Sequence, residues 1–207
     1  RNVKTEDYPL TTPLFLYLPA RRLPKIMREF LSYTRSPAAQ LVIRRAGFVD
    51  QAPEEISIDF QGDRLANAIS VTGQEISLET TRGMIGTLRK MRRLTTSFRF
   101  ETGSVRLDAE SRSNVEQLAS ALEAGMYDGK SLVFIGFSDG EGAAAANLEI
   151  SRRRAEVVKN AIEKAAETAD FTQLDVSVQA YGEAMPMACD DTEWGRQVNR
   201  RVEVWIR

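Results

Sequence analysis

An apolar stretch that runs through a glycine-containing turn into a long amphipathic helix constrains this chain more than any other feature. The stretch "SLVFIGF" (131–137) is apolar enough for a central strand, and residues 144–166 follow the turn as a helix. A helix that returns after a buried strand packs its apolar side against the sheet. The end of this strand is therefore expected to meet the start of this helix.

The flanking segments extend this pattern over residues 94–207. "LTTSFRF" (94–100), "LDVSVQAYG" (174–182) and "RRVEVWIR" (200–207) alternate as strands. The order βαβαβ with a final strand predicts an α/β fold, an α+β sandwich with a mixed sheet and helices on one face. We expect the apolar positions of the last two strands to lie against each other, Val176, Val178 and Ala180 against Val202, Val204 and Ile206.

A second helix is predicted over residues 107–125. Asp108 is its candidate N-cap, and an apolar stripe follows at helical spacing. This stripe comprises Val115, Leu118, Ala119 and Leu122.

The long helix carries three consecutive arginines, Arg152, Arg153 and Arg154. At about 100° per residue, Arg152 and Arg153 point away from the apolar arc, whereas Arg154 falls near its middle. The same geometry places Ser151 one turn and Asn147 two turns before Arg154. An arginine on a packing face is unfavourable unless a partner satisfies it.

Asp139, at the end of the preceding strand, is the expected partner of Arg154. Two interpretations remain open from the residues alone. The pair forms a structural salt bridge between strand and helix, which adds little net stability after desolvation. Alternatively, the two charges lie apart and receive a ligand that carries both an amine and a carboxylate, because a guanidinium grips carboxylates and an aspartate accepts hydrogen bonds from ammonium groups.

Upstream of residue 94 the pattern is weaker. "PLFLYLP" (13–19) predicts a short buried strand, and residues 23–34 predict a helix. Another helix follows within 36–48, with Ser36 as the predicted N-cap, Pro37 in the first position and Gly47 as the stop.

The stretch that precedes residue 94 is interpreted as a connection. Residues 51–93 are expected to be a connecting region with one short helix at 80–94. The basic cluster at the end of this helix is expected to be a solvated face. It comprises Arg89, Lys90, Arg92 and Arg93.

Composition excludes several classes of function. The formal net charge is -1, which disfavours nucleic-acid binding, and no window approaches the roughly 18 apolar residues of a membrane span. Histidine is absent, which removes the usual general base and the commonest metal ligand, and the single cysteine, Cys189, cannot form an intramolecular disulfide. We therefore expect that the protein is not an enzyme and that it binds neither a cofactor nor a metal ion. The opening "RNVKTEDYPL" has no initiator Met or signal-peptide pattern, and we interpret the chain as a piece of something longer.

Residues 94–207 resemble the OmpA-like domain, which also occurs in flagellar stator proteins and peptidoglycan-associated lipoproteins. The family pattern is a strand ending in Gly-His-Thr-Asp, a glycine three residues later, Asn-x-x-Leu-Ser-x-x-Arg-Ala, and a closing Asn-Arg-Arg-Val. This chain has Gly136-Phe137-Ser138-Asp139, Gly142, Asn147 to Ala155 with Ser151 and Arg154, Gly182-Glu183, Pro186, Gly195-Arg196 and Asn199-Arg200-Arg201-Val202. It departs at Phe137-Ser138, where the family has His-Thr.

The resemblance implies non-covalent binding of the peptidoglycan stem peptide. It assigns Asp139 and Arg154 to the diaminopimelate residue, with Asn147 and Arg200 as further ligand-contacting residues. The replacement of the family's histidine by Phe137 implies a change in affinity or ligand preference. The expected location is the periplasm or cell envelope, with association to the outer membrane as an option and other envelope proteins as further candidate partners.

Residues 1–50 resemble the closing segment of periplasmic phosphate-binding proteins of ABC transporters. The resemblance rests on "DYPLTTPLFLYLP" and on "MREFLSYTRSPAAQLVIRRAGFV". It implies a remnant of a binding-protein lobe (1–50), a connecting region (51–93) and an OmpA-like domain (94–207). The chain would then be a wall-anchoring module joined to the end of a phosphate-binding-like module.

Three other functions are weighed against wall binding. The first is a solute-binding component of phosphate transport or sensing, although the phosphate-gripping helix N-termini of that fold are missing. The second is a catalytic carboxylate pair of Asp139 and Glu141, which are expected to diverge. The third is a cation site in "CDDTE" (189–193), which lacks the ligand spacing of a calcium loop and is interpreted as a solvated acidic loop.

Overall fold

The structure, a computed structural model, describes residues 3–5, 12–19, 21–73 and 76–207. The chain divides into two compact units, Arg1–Ala52 and Pro53–Arg207. Residues 7–11 of the stretch that resembles a phosphate-binding protein, and residues 74–75 of the expected connecting region, lie outside the described residues.

The first unit contains the two predicted helices, α1 (Lys25–Thr34) and α2 (Pro37–Arg45). The cap of α2 is confirmed, because the Ser36 side chain accepts a hydrogen bond from the Ala39 amide at 3.3 Å and Pro37 occupies the first turn. The predicted stop is also confirmed, since α2 ends two residues before Gly47, which has a φ of 87°.

The strand predicted at 13–19 is wrong. Within the described stretch 12–19 the backbone forms no strand, and Leu14 and Tyr17 are 77% and 87% exposed. A buried strand needs neighbours that accept its backbone hydrogen bonds and cover its side chains. An apolar run alone cannot indicate whether such neighbours exist.

The second unit is a mixed α+β structure, and the predicted fold class is confirmed. Its elements in chain order are β1 (Glu55–Ile56), a 3₁₀ turn (Ile58–Gln61), α3 (Gly62–Ser70), α4 (Leu78–Leu88), β2 (Arg92–Arg99), α5 (Ala109–Glu123), β3 (Ser131–Gly136), α6 (Ala144–Ala165), β4 (Asp175–Ala180), α7 (Glu193–Asn199) and β5 (Arg201–Ile206). In the described part of the chain these strands form a five-stranded sheet in the order β1-β2-β5-β3-β4. The β3–β4 pair is parallel, and the other neighbours are antiparallel.

The last two strands are not neighbours, which corrects the expected contact between them. β3 lies between β4 and β5, so Phe134 is opposite both Val178 and Val204. The valines of β4, Val176 and Val178, instead share one core with the apolar residues of β5 across β3. The crossover from β4 through α7 to β5 therefore places the final strand in the interior of the sheet.

Helices cover both faces of the sheet, whereas the sequence predicted one covered face. α5 and α6 pack on the first face, where Leu118, Val158 and Phe134 belong to one core cluster. On the second face, a separate cluster joins α3 and α4 to β3 and β5, including Met84 and Trp205. Strand side chains alternate between faces, so an apolar strand such as β3 can support two cores.

Residues 53–93 belong to the same compact unit as residues 94–207. The short helix predicted at 80–94 is present as α4, but it ends at Leu88, and β2 begins at Arg92. The expected solvated face is therefore wrong in part: Arg89, Lys90 and Arg92 are exposed, but Arg93 is buried on the sheet.

Arg93 belongs to a buried charge cluster on the second face, centred on Glu203. The Arg201 Nε donates to Glu203 Oε1 at 2.7 Å, the Trp205 Nε1 donates to Oε2 at 3.0 Å, and Arg93 lies 3.3 Å from Oε2. Arg64 of α3 donates to Oε1 as well. Burial opposes the charged form of Glu203, but these arginines outweigh it and hold its pKa well below the usual range.

Candidate functional site

The site is built where the end of β3 meets the first half of α6. A Cβ on Gly136 would lie 1.9 Å from the Ser151 carbonyl oxygen. Only a glycine at the end of β3 therefore allows α6 to approach so closely. This approach brings the polar positions of the helix, Asn147, Ser151 and Arg154, beside the loop that carries Ser138 and Asp139, and all five residues are buried.

Arg154 is the one arginine of the three that faces inward. It is 5% exposed, whereas Arg152 and Arg153 are exposed, and the prediction from helical periodicity is confirmed. Its guanidinium lies 5.3 Å from the centre of the Phe100 ring. Its Nη2 donates a long hydrogen bond of 3.5 Å to the Ser104 carbonyl, and among the described residues its buried Nε has no partner. Burial lowers the pKa of Arg154, and the nearby charge of Asp139 partly opposes this shift.

Asp139 forms its ion pair with Arg200, not with Arg154. The Arg200 Nη1 donates to Asp139 Oδ2 at 2.9 Å. Among the described residues, Asp139 Oδ1 accepts no hydrogen bond. The direct Asp139–Arg154 salt bridge considered from the sequence is therefore not formed, although Arg154 lies close enough to both groups to sense their charges.

Arg200 caps the C-terminal end of α7 and has two carboxylate partners. Besides Asp139, it donates through Nη2 to Glu193 Oε1 at 2.6 Å. Burial opposes its charge, but the hydrogen bonds to Glu193 and Asp139 prevail and raise the pKa of Arg200. Its Nε is buried and has no partner among the described residues.

Asn147 lies nearer the N-terminal end of α6 than Arg154. It is seven residues before Arg154, which corresponds to about 10 Å along a helix. Its Nδ2 donates to Glu183 Oε2 at 2.9 Å. The structure thus brings Asp139, Arg154 and Arg200 together, and Asn147 extends the same buried polar strip toward the N-terminal end of α6.

Residues 99–200 match the OmpA family. This segment is therefore similar to the OmpA family. Outer membrane porin F of Pseudomonas fluorescens is 33% identical over 96 residues, which are 46% of this chain and 28% of that protein. The chain therefore spans less than a third of the length of this relative.

Two similar solved structures each overlay about half of the chain. The peptidoglycan-associated lipoprotein from Burkholderia pseudomallei is 22% identical, with a TM-score of 0.46, over 54% of this chain and 89% of its own. The periplasmic domain of Helicobacter pylori MotB is 21% identical, also with a TM-score of 0.46, over 56% of this chain and 73% of its own.

The loop after β3 is held by the segment 189–193, which the sequence predicts to be a solvated acidic loop. Asp190 accepts from the Gly140 amide at 2.7 Å and from Asn199 Nδ2 at 2.7 Å. Within this loop, Thr192 caps α7, and a Cβ on Gly195 would lie 1.8 Å from the Cys189 carbonyl oxygen. Glu193 and Arg200 share one face of α7 because they are seven residues apart, and this spacing was the available signal for their contact.

Phe137 points away from the predicted site residues of the OmpA-like domain. Its ring is fully buried in the second core, and the Arg201 guanidinium stacks over it at 4.3 Å. Ser138, the next residue, has a buried hydroxyl without a hydrogen-bond partner among the described residues. Of these two neighbours of Asp139, only Ser138 brings a polar side chain to the loop, because Phe137 packs into the core on the second face of the sheet.

The acidic residues after β3 contact different arginines. Asp139 pairs with Arg200, and Glu141 lies 3.7 Å from Arg196. In the described ranges, no group of three or more His, Cys, Asp or Glu residues is arranged to hold a metal ion. Within the same ranges, none of the helices combines the length and apolar character needed to cross a membrane.

Proposed function

We propose that the OmpA-like domain of this chain binds peptidoglycan non-covalently and receives the diaminopimelate residue of the stem peptide between Asp139 and Arg154. Arg154 carries the proposal. It is a buried guanidinium with one long hydrogen bond and an unpartnered Nε. A buried group with unused donors is unfavourable unless a ligand completes it.

The chemistry of the two residues suits a zwitterionic ligand. The Arg154 guanidinium can donate two parallel hydrogen bonds to a carboxylate. The unused Oδ1 of Asp139 can accept from an ammonium group while its Oδ2 stays on Arg200. Diaminopimelate offers a carboxylate and an ammonium on the same carbon, and the match of residues 99–200 to the OmpA family supports this choice of ligand.

The decisive experiment measures sacculus binding and thermal unfolding on the same preparations of Asp139→Asn and Arg154→Ala. We expect each variant to remain folded and to bind about tenfold to a hundredfold more weakly, because each loses a charge-assisted contact. Arg153→Gln is the matched control, since this neighbouring arginine is exposed. Unchanged binding by folded Arg154→Ala protein would contradict the proposal.

The proposal includes a place in the cell. Peptidoglycan binding locates the domain in the periplasm or cell envelope, and the similarity to an outer membrane porin supports association with the outer membrane. The matching segment is shared with a much longer relative, so the role of the whole protein depends on its other parts.

A finer proposal concerns the first unit. If residues 1–50 are the end of a phosphate-binding-like module, the OmpA-like domain anchors that module to the wall. The alternative is a solute-binding component of phosphate transport or sensing. Calorimetry of this chain with inorganic phosphate separates the two, and we expect no tight binding because the phosphate-gripping helix N-termini are missing.

A further inference from the structure

α7 and the loop after β3 are joined by a chain of alternating charges. Asp139 contacts Arg200, Arg200 contacts Glu193, Glu193 contacts Arg196 at 3.0 Å, and Arg196 lies 3.7 Å from Glu141. The three members on α7 are spaced by three and four residues and therefore share one face of the helix. Glu193 is the central link, since it contacts both arginines.

Glu193 occupies the outward edge of Arg200. One terminal nitrogen of Arg200 is held by Asp139 and the other by Glu193 at 2.6 Å. Its hydrogen bonds to Arg200 and then Arg196 lower the pKa of Glu193, so this carboxylate is ionised at neutral pH. Each terminal nitrogen of Arg200 therefore already donates to a carboxylate, and a ligand carboxylate would have to compete with Glu193 for this guanidinium.

This arrangement leaves one cation and one carboxylate oxygen for a ligand. The cation is Arg154, which forms no ion pair among the described residues, whereas Arg200 has two carboxylate partners, and the oxygen is Asp139 Oδ1. Such a pair matches a ligand with one carboxylate and one ammonium. If the outward edge of Arg200 were unmasked, the same site would offer a second carboxylate-binding group.

We infer that Glu193 is a specificity-determining residue that masks Arg200 and thereby selects zwitterionic ligands over dicarboxylates that lack amines. Arg200 is then a positioning residue, which fixes the Asp139 carboxylate and does not itself grip the ligand. This inference rests on the proposed function, because it concerns the ligand preference of the same site.

The test compares two probes of the same length, diaminopimelate and pimelate, which differ in the two amino groups. Their binding to wild type, Glu193→Ala and Glu156→Ala is measured by NMR titration. Glu156 is an exposed glutamate on the outer face of α6 and serves as the matched control. We expect Glu193→Ala to reduce the preference for diaminopimelate over pimelate by about threefold to tenfold, mainly through tighter pimelate binding, as for a partly exposed ion pair.

The possible outcomes separate this inference from the proposed function. Wild-type protein that does not bind diaminopimelate would contradict the proposed function and with it this inference. If wild-type protein binds diaminopimelate, but Glu193→Ala prefers it over pimelate to the same extent, only the masking role of Glu193 would be contradicted. Equal weakening of both probes, together with a lower unfolding temperature, would assign Glu193 a structural role and would also overturn the inference. The Glu193→Gln variant, which keeps the shape but not the charge, should fall between wild type and Glu193→Ala.

Discussion

At the scale of single residues, the polar groups around Asp139 differ in whether the folded chain satisfies them. The Ser138 hydroxyl is buried without a partner among the described residues. By contrast, the Ser151 hydroxyl donates to the Leu148 carbonyl and accepts from the Gly182 amide at 3.2 Å. The two buried serines thus differ: the bonds of Ser151 stabilise the fold, whereas the Ser138 hydroxyl is unsatisfied within the described residues, and we propose that it contacts the ligand.

The variant Ser138→Ala is expected to separate binding from stability. Removal of an unsatisfied hydroxyl should leave the free energy of unfolding unchanged or raise it by up to about 1 kcal/mol. Sacculus binding should fall about twofold to tenfold, as for one neutral hydrogen bond. Chemical denaturation and a pull-down on the same samples measure both quantities.

Ser151→Ala is the control for this prediction, because it leaves the Gly182 amide unsatisfied. It should lower the free energy of unfolding by about 1–3 kcal/mol. A Ser138→Ala protein that is destabilised to the same extent would mean that its hydroxyl has an intramolecular partner after all.

The sequence could predict the orientation of each residue on α6 but not the partners across the site. Helical periodicity depends on local geometry, so it correctly predicted that Arg154 is buried and that Arg152 and Arg153 are exposed. The partner of Asp139 is Arg200, which lies 61 positions later in the chain. That contact depends on how α7 docks, and no local pattern reports it.

At the scale of elements, the contact between β3 and α6 depends on Gly136. The nearest atom to an added Cβ is backbone, the Ser151 carbonyl oxygen at 1.9 Å, which cannot rotate away. Gly136→Ala should therefore force the helix off the strand and lower the free energy of unfolding by at least about 1–3 kcal/mol. Sacculus binding should weaken as well, because α6 carries Arg154.

Gly83→Ala is the matched control for this change. Gly83 lies within α4, and an added Cβ there meets nothing within 4 Å. We expect it to raise the free energy of unfolding by about 0.4–1 kcal/mol, since alanine restricts the unfolded chain. Equal effects of the two variants in thermal unfolding would contradict a steric role for Gly136.

The buried charge cluster joins α3, β2 and β5, and it should make stability depend on pH. The pKa of Glu203 is lower in the folded chain than its ordinary value of 4.5. A carboxyl of this kind stabilises the fold above its unfolded pKa, and this contribution is lost as the pH falls further below 4.5. We therefore expect the unfolding temperature to decrease progressively in acid from about that pH.

The variant Glu203→Gln tests this dependence. It leaves buried arginines without their shared carboxylate and should lower the free energy of unfolding by about 3–5 kcal/mol at neutral pH. Its loss of stability in acid should be shallower than that of wild type. Glu163→Gln, which removes a half-exposed pair with Lys159, should cost no more than about 0.5 kcal/mol. An acid profile of Glu203→Gln that matches wild type would exclude Glu203 as the titrating group.

Element prediction succeeded where the signals are local. The caps at Ser36 and Asp108 and the stop at Gly47 define helix ends through neighbouring residues, and all three are confirmed. The two-residue β1 was missed because so short a strand exists only through its pairing with β2. The same dependence on partners explains the error at 13–19, where an apolar run lacks a sheet in the described residues.

At the scale of the whole molecule, charge is distributed unevenly between the two compact units. Unit Arg1–Ala52 contains 9 Lys or Arg and 4 Asp or Glu, a net charge of +5. The remaining net charge of unit Pro53–Arg207 is -1 minus +5, or -6. The near-neutral total therefore conceals a basic unit and an acidic one, and an argument about partners from total charge applies to neither alone.

The site can form only if the chain contains every segment that the folded domain needs. The family match begins at residue 99, but the second face of the sheet is covered by Ala68, Met84 and Leu88 from α3 and α4. Without these helices, Ile135, Phe137 and Trp205 would lose their cover, and Glu203 would lose Arg64. An exposed apolar face of that size favours aggregation.

Two fragments test where the domain begins. Fragment 53–207 should unfold cooperatively and bind sacculi as the whole chain does, because it keeps both cores and all four predicted site residues. Fragment 94–207 should unfold at a markedly lower temperature and bind a hydrophobic dye, since it lacks α3, α4 and β1. Its sacculus binding should decrease in proportion to its folded fraction, because Asp139, Arg154 and Arg200 lie on elements that it retains. Equal stability of the two fragments would mean that the first-face core alone holds the sheet, and that the domain begins at residue 94 as the sequence predicts.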